Sequence, residues 1–180
     1  MITVISGTNR TDNLTVHFAR RVVRELKKQT DQKVNFLHLA DLPHDWFHAL
    51  MYTEDGQSKS LRKIQDKYIL PAEKFVFVIP EYNGGMPGVL KMFIDACSIR
   101  RYKDNFQGKK AAVMGTSSGR AGNLRGMEHL TGVLNYLGTT VMPNRQPISG
   151  IGNLIDAENV VQDKATLKII KAFAKQVVDF

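Results

Sequence analysis

The stretch from Phe75 to Asp95 constrains the fold more than any other part of this chain of 180 residues. Five consecutive apolar residues precede Pro80, and three of them are β-branched, which predicts a strand buried on both faces. The polar turn 81–86 follows, and its paired glycines permit positive φ and close backbone approach to a ligand. A helix is then predicted from Pro87, because apolar residues recur at helical spacing: Val89, Leu90, Phe93, Ile94 and Cys97. Ligands bind at such turns in open parallel sheets.

The rest of the chain repeats the order of strand, polar loop and helix. The patterns predict strands over 2–6, 33–39, 109–115 and 139–142, and helices over about 14–29, 58–71, 123–137 and 160–178. Residues 41–58 and 143–159 are expected to be irregular. We therefore expect one domain over residues 1–180, a three-layer α/β/α sandwich around a five-stranded, all-parallel sheet.

Polar loops follow the first, third and fourth predicted strands. The loop 7–13 offers hydroxyls, an amide and a guanidinium before a helix N-terminus, a set that suits a phosphate monoester. Two strand orders are common for such sheets, and the flavodoxin-like order 2-1-3-4-5, which we expect here, puts the switch point between strands 1 and 3, so that loops 7–15 and 81–86 share a crevice. The loop 116–122 follows strand 4 and reaches the same opening. The sequence thus predicts one ligand site built from three loops.

Composition narrows the function classes. The chain has 25 basic and 17 acidic residues, a net charge of +8, which favours the attraction of anions. Most of the basic residues are dispersed over predicted helices and no nucleic-acid motif accompanies them, so we expect no nucleic-acid partner. The N-terminus has no signal-peptide pattern and no apolar run has the length of a membrane span, so we expect a cytoplasmic protein without a membrane partner.

Isolated Cys and His residues have simple interpretations. The lone Cys97 lies in an apolar helical stripe and is expected to be a small buried hydrophobe. His44 and His48 have no further ligand at zinc spacing, so we expect surface or packing roles and no metal site. They belong to the aromatic-rich stretch 41–58, which either lines an active site or packs against a second subunit. The sequence does not distinguish these two roles.

The central stretch carries a family resemblance. Residues 80–84 (Pro-Glu-Tyr-Asn-Gly), 87–91 (Pro-Gly-Val-Leu-Lys) and 94–95 (Ile-Asp) resemble the Pro-Glu-Tyr-Asn…Pro-Gly-x-Leu-Lys-x-x-Ile-Asp stretch of the NADPH-dependent FMN reductase family. This flavodoxin-like group includes azoreductase-, quinone reductase- and chromate reductase-type enzymes. The first loop resembles the family's Gly-Ser-x-Arg-x-x-Ser-x-Asn pattern. Gly7 and Arg10 match it, and the polar residues Thr8, Asn13 and Thr15 stand for its first Ser, second Ser and Asn.

The resemblance implies an enzyme that takes hydride from NADPH, or NADH, onto bound FMN and passes electrons to a small acceptor such as a quinone, azo compound or free flavin. It implies a phosphate site at the first loop, formed by Thr8, Arg10, Asn13, Leu14 and Thr15. It further implies that the isoalloxazine ring lies along Pro80, Glu81, Tyr82, Asn83 and Gly84, with Ser117 and Gly119 approaching from the third loop. No side chain is assigned a catalytic role, because the flavin carries the chemistry. A homodimer or homotetramer is also implied.

Several alternatives stay open at this point. Tyr82 either contacts the ring or is a packed or subunit-facing aromatic, and Glu81 is either a cap or inter-subunit partner or a catalytic acid. The alternative function is a non-enzymatic flavodoxin-like electron carrier, against which the net charge of +8 argues because such carriers are acidic as a group. A flavin-free regulatory or scaffold protein is a further alternative.

Overall fold

The chain alternates strands and helices in the computed structural model, which describes residues 1–180. The strands are β1 (Ile2–Ser6), β2 (Val34–His38), β3 (Lys74–Pro80), β4 (Lys110–Thr116), β5 (Thr140–Val141) and β6 (Gln146–Ile148). The α-helices are α1 (Thr15–Gln29), α2 (Lys59–Ile64), α3 (Gly88–Ala96), α4 (Tyr102–Phe106), α5 (Leu124–Tyr136) and α6 (Lys164–Asp179). A π-helical turn, Gln65–Ile69, extends α2, and 3-10 turns cover Leu39–Asp41, Ala49–Tyr52 and Ile151–Asn153.

The strands form one parallel sheet in the order β2-β1-β3-β4-β5, which confirms the predicted order. A sixth strand, β6, was not predicted. It pairs with Met114–Thr116 of β4, whereas β5 pairs with the other end of β4, so the two short strands share the outer edge of the sheet. Pro143 and Pro147 lack the N–H group that a continuous ladder needs, and an edge strand tolerates this.

Successive residues of β3 face two separate hydrophobic cores. Phe75, Phe77 and Ile79 pack beneath α2, α3 and α5, whereas Val76 and Val78 pack beneath α1 and α6. All five side chains are fully buried, as expected for a strand covered on both faces. The three-layer α/β/α architecture is therefore confirmed. None of the helices combines the length and apolar character needed to cross a bilayer.

Two helices differ from the sequence-based expectation. The last helix begins at Lys164 rather than near residue 160, because the Asp163 carboxylate caps it by accepting a hydrogen bond from the Thr166 N–H at 2.7 Å. The short helix α4 was not predicted. Asn105 holds it in place by donating to the carbonyls of Cys97 and Arg101 at 2.8 and 2.9 Å.

The stretch 41–58 divides into buried and exposed aromatic residues. Trp46 is buried and meets the edge of Phe93 at a centroid distance of 6.0 Å. Phe47 and Tyr52 are exposed, at 56% and 57% of their full surface. Cys97, packed in the same core, is fully buried, which confirms its expected character, and burial raises the pKa of its thiol.

Candidate functional site

A cleft of about 450 Å³ opens where β1, β3 and β4 end. We call it the inner cleft, and thirteen residues line it: Arg10, Asp12, Asn13, Leu14, Thr15, Pro80, Glu81, Tyr82, Thr116, Ser117, Ser118, Ile151 and Gly152. The loops after the three strands therefore meet at one opening, as the strand order implied. No residue of the stretch 42–58 lines this cleft.

The first loop is held in shape by the side chain of Asn13. Its Nδ2 donates to the Arg10 carbonyl at 2.7 Å, and its Oδ1 accepts from the Val16 N–H at 3.0 Å, so Asn13 caps α1. The N–H groups of Asn13, Leu14 and Thr15 donate to no other group of the chain. Free N–H groups at a helix N-terminus form an anion site.

Thr8 lies beneath the inner cleft rather than on its wall. Its side chain is fully buried, and its hydroxyl shares a hydrogen bond of 2.6 Å with the Tyr82 hydroxyl. The same Thr8 oxygen accepts from the Arg10 N–H at 3.2 Å. Thr8 therefore ties the first loop to the turn after β3. Tyr82 takes part in this packing and also lines the cleft.

The Asn83-Gly84 pair makes a tight two-residue turn. Both residues have positive φ, 50° and 72°, and the flanking residues Tyr82 and Gly85 exchange two backbone hydrogen bonds of 3.1 and 3.0 Å. Asn-Gly is the sequence that a type I′ turn favours. The N–H groups of Asn83 and Gly84 have no backbone partner, but neither residue lies on the cleft wall. The family resemblance had implied that both residues lie along the isoalloxazine ring.

The loop after β4 is packed tightly against its neighbours. A Cβ added at Gly115 would lie 2.4 Å from the Gly122 carbonyl oxygen, so only glycine fits there. Gly119 lies outside the cleft wall, where its carbonyl accepts from the Ser117 hydroxyl at 3.0 Å. The Thr116 hydroxyl shares a 2.8 Å hydrogen bond with that of Thr15, which joins β4 to the start of α1.

Five lining residues were not named individually from the sequence: Asp12, Thr116 and Ser118, which lie in the predicted loops, and Ile151 and Gly152, which lie outside them. The last two arrive from the segment after β6. The Ile151 N–H donates to the Ser117 carbonyl at 3.2 Å, which draws this segment to the cleft. Gly150 and Gly152 were the signal available in the sequence, because glycines mark tight turns. In the structure Gly150 adopts a positive φ of 60°.

The charged side chains on the cleft wall are Arg10, Asp12 and Glu81. Arg10 is exposed and forms no ion pair, so it is available to a ligand. Together with the free N–H groups that open α1, its guanidinium suits a phosphate monoester. Pro80, Tyr82 and Ile151 supply carbon surface for a flat ring. The residues present thus fit FMN, whose phosphate and ring need these two kinds of contact.

Residues 1–153 match the model of a protein family described as NADPH-dependent FMN reductase. The chain is also 29% identical over 177 residues to a 2-hydroxy-1,4-benzoquinone reductase of Burkholderia sp. That alignment covers 96% of this chain and 91% of the relative.

Solved structures agree with this match. FerB, a flavoenzyme NAD(P)H:(acceptor) oxidoreductase from Paracoccus denitrificans, is 29% identical and superimposes with a TM-score of 0.73, covering 99% of this chain and 94% of FerB. A flavodoxin from the domain Archaea superimposes with a TM-score of 0.64 at 16% identity, covering 99% of this chain and 97% of the flavodoxin. The second likeness concerns the fold alone, which is flavodoxin-like.

Proposed function

The chain belongs to the NADPH-dependent FMN reductase family and is an FMN-dependent oxidoreductase, and we propose that it oxidises NADPH and reduces a quinone, azo compound, free flavin or similar small acceptor. The family relationship supports FMN and the reductase class. The acceptor we expect first is a quinone, because a relative aligned over 96% of the chain is a benzoquinone reductase.

One observation carries the proposal. Three loops that are far apart in the sequence line a single cleft together with the segment after β6, and they combine a phosphate-type anion site with an aromatic and aliphatic wall. Bound FMN supplies the redox chemistry, since it accepts a hydride from a nicotinamide and gives up electrons to a second substrate. The protein itself does not need to supply a nucleophile or a catalytic triad.

The chain's own residues bind and orient. We propose that Arg10 and the N–H groups of Asn13, Leu14 and Thr15 hold the phosphate, where the N-terminus of α1 adds a favourable dipole. Pro80, Glu81 and Tyr82 flank the ring, and Ser117 approaches it from the opposite loop. Asn83 and Gly84 contribute N–H donors if their turn moves toward the ring. Thr8 and Gly119 act indirectly, because Thr8 anchors Tyr82 and the Gly119 carbonyl fixes Ser117.

The test is a spectrum followed by turnover. Purified protein is expected to be yellow, or to become yellow with FMN, and to oxidise NADPH repeatedly when a benzoquinone is supplied. Sustained turnover separates a reductase from an electron carrier, which has no place for a nicotinamide over the ring. A colourless protein that binds no added FMN contradicts the proposal.

We further propose that residues 1–180 act as one flavin-binding domain within a homodimer or homotetramer. Phe47, Leu50 and Tyr52 each expose more than half of their full surface on one short segment, with Leu50 at 64%. Apolar side chains clustered in this way mark interaction surfaces. Light scattering on the eluting protein measures the mass, and the variant Phe47→Ser with Leu50→Ser is expected to shift it toward the monomer. A wild-type protein that elutes as a monomer contradicts this proposal.

A further inference from the structure

His38 lies at the end of β2, next to the loop that we assign to the flavin phosphate. Its side chain is only 8% exposed, and its Nδ1 atom is buried beside the backbone of Ser6. The other ring nitrogen, Nε2, lies 3.5 Å from the Nδ2 atom of Asn13, and this contact is buried as well. The Asn13 amide is the one side chain that hydrogen-bonds the ring, so His38 meets the phosphate loop through a single pair of atoms.

The neighbours of Asn13 fix which way its amide faces. Its Nδ2 donates to the Arg10 carbonyl at 2.7 Å, and its Oδ1 accepts from the Val16 N–H at 3.0 Å. Turning the amide over would set an oxygen against a carbonyl and an NH₂ group against an N–H, so the second hydrogen of Nδ2 is the one directed at His38. The Nε2 atom of His38 must then accept, and the neutral ring carries its proton on Nδ1.

The Asn13 amide supports both parts of the proposed phosphate site. It caps the first turn of α1, where the N–H groups of Asn13, Leu14 and Thr15 donate to no other group of the chain. It also holds the backbone of Arg10, the one cationic side chain on the wall of the inner cleft. A change in the orientation of this amide therefore moves the donors that a phosphate would use.

Burial and several charged groups decide when His38 takes up a proton. Burial lowers the pKa of His38 below its usual 6.5, Asp41 and the Ser6 backbone raise it, and Arg20 on α1 lowers it. The other titratable or charged groups on this side line a surface depression of about 520 Å³ together with His38: Arg10, Asp12 and His17. The ring is therefore mostly neutral above pH 6.5 and becomes protonated only in more acid solution.

We propose that His38 is a positioning residue for the flavin phosphate and makes FMN binding sensitive to acid. This inference rests on the proposed function, because it places the phosphate at the first loop. In the neutral ring Nε2 accepts from Asn13 and supports the cap of α1. In the protonated ring both nitrogens donate, so an N–H group meets the NH₂ group of Asn13. The amide then gives up the Arg10 carbonyl or the Val16 N–H, and the affinity for FMN falls.

A protonated His38 would also attract the phosphate, which is an effect of the opposite sign. The carboxylate of Asp41 compensates part of the ring's charge, and the inner cleft is open to water, which screens the attraction. Two buried donors that face each other have no such compensation, and leaving a buried group without its partner is costly. We therefore expect acid to weaken FMN binding through His38 rather than to strengthen it.

The experiment measures flavin affinity against pH. The full chain is stripped of flavin and titrated with FMN and with riboflavin from about pH 8 to about pH 5, while flavin fluorescence is followed. The phosphate of FMN also takes up a proton in this range, so wild type is compared with His38→Gln, whose amide oxygen accepts from Asn13 but does not titrate. Between these pH values the Kd of wild type for FMN is expected to rise about tenfold more than that of His38→Gln. Riboflavin, which lacks the phosphate, should show no such difference.

Two further variants serve as controls. His38→Leu removes the acceptor and should weaken FMN by about tenfold at pH 8, whereas His38→Gln should restore binding close to that of wild type. If His38→Leu does not fold, the comparison of wild type with His38→Gln carries the test by itself. His17→Gln removes a half-buried histidine of the same depression that makes no hydrogen bond to the Asn13 amide, and it should keep the pH dependence of wild type.

Several results overturn the inference while the reductase proposal stands, because FMN still binds in each of them. Equal pH dependence in wild type and His38→Gln means that the titration of His38 does not reach the phosphate, and a steeper loss in His38→Gln means that the protonated ring attracts it. Normal FMN affinity of folded His38→Leu at pH 8 shows that the acceptor is not needed. Loss of the acid step in His17→Gln assigns the step to that residue, and an equal loss for riboflavin places it away from the phosphate. If no FMN binds to wild type at any pH, the proposed function has failed as well.

Discussion

Asn13, Thr8 and Thr15 show how single side chains build the inner cleft. The family resemblance implies phosphate contacts for all three, yet their polar atoms are used within the protein. Asn13 caps α1, Thr8 bonds Tyr82, and Thr15 bonds Thr116 across 101 positions of sequence. Phosphate binding then depends on the backbone N–H groups of this loop and on the one cationic side chain of the wall, Arg10.

Arg10→Ala is expected to weaken FMN binding by more than about 1 kcal/mol, because a hydrogen bond to a charged group contributes about that much or more. Titration of flavin-free protein with FMN, followed by fluorescence, measures the change. Riboflavin, which lacks the phosphate, should bind wild type and variant equally well. Lys63→Ala is the matched control, since it removes an exposed positive charge on α2, away from the cleft. An unchanged FMN affinity in the Arg10 variant would refute the role assigned to this residue.

At the scale of the elements, two lysines bind the carboxyl ends of helices. Lys74 donates to the carbonyls of Val177 and Val178 at 3.0 and 2.8 Å near the end of α6. Lys109 donates to the carbonyls of Ile69 and Leu70 at 2.7 and 3.0 Å, where the π-helical turn ends. Cations at helix C-termini satisfy carbonyls that have no helical partner. The start of β3 and the residue before β4 are thereby tied to helices on opposite faces of the sheet.

The stability of the protein should depend on the titration of Lys109. Burial lowers the pKa of Lys109 to about 8, from 10.5. Between these values the unfolded chain holds the proton that the folded chain has released, so this group makes the free energy of unfolding rise with pH. The free energy of unfolding of wild type relative to Lys109→Met is therefore expected to increase from pH 8 to pH 10.5. Urea unfolding at several pH values measures it, and a flat difference would contradict the prediction.

The helix α4 depends on a buried amide network. The Nδ2 atom of Asn105 donates to the carbonyls of Cys97, Arg100 and Arg101, and its Oδ1 accepts from Gln65 at 3.2 Å. Asn105→Ala leaves these buried groups without partners, which costs about 1–3 kcal/mol of unfolding free energy. Urea unfolding checks this value. Asn135→Ala, at an exposed position on α5, should change stability by less than about 0.5 kcal/mol; a similar loss in both variants would show that the network is not responsible.

At the scale of the whole molecule, the site lies where two cores and three loops meet. β3 separates the cores, and its carboxyl end, with those of β1 and β4, carries the loops of the inner cleft. The segments that line the inner cleft, and that a ligand there would contact, are spread along the chain from residue 10 to residue 152. Binding should therefore stabilise the fold as a unit rather than one loop.

FMN is accordingly expected to raise the melting temperature of flavin-free protein. At a free concentration of about 100 times Kd the gain is about 2.7 kcal/mol, which corresponds to about 5–10 °C for a domain of this size. Differential scanning calorimetry at increasing FMN measures the shift. Riboflavin at the same concentration should give a smaller shift, because it lacks the phosphate. A melting temperature that does not depend on FMN would contradict a site that couples the three loops.

Much of the fold could be predicted because its signals are local. The apolar run before Pro80 and the helical spacing after Pro87 need no distant contact to be read, and they correspond to β3 and α3. The prediction failed where local signals compete. Val160 and Val161 extend the apolar pattern of α6 toward the N-terminus, but the Asp163 cap sets the start of the helix. Pro143 and Pro147 argue against a strand in this part of the sequence, so β6 was not predicted. It forms because the edge of β4 is available for pairing.

The sequence by itself determined the alternation of strands and helices, and hence the three layers, and it identified three of the loops that line the cleft, because hydrophobic period and turn chemistry act over a few residues. Only the tertiary structure decided how those loops use their side chains. The bonds from Thr8 to Tyr82 and from Thr15 to Thr116, and the arrival of Ile151 beside Ser117, join residues that are distant in the chain. Such contacts depend on where the whole sheet places its carboxyl edge, and no local pattern encodes that.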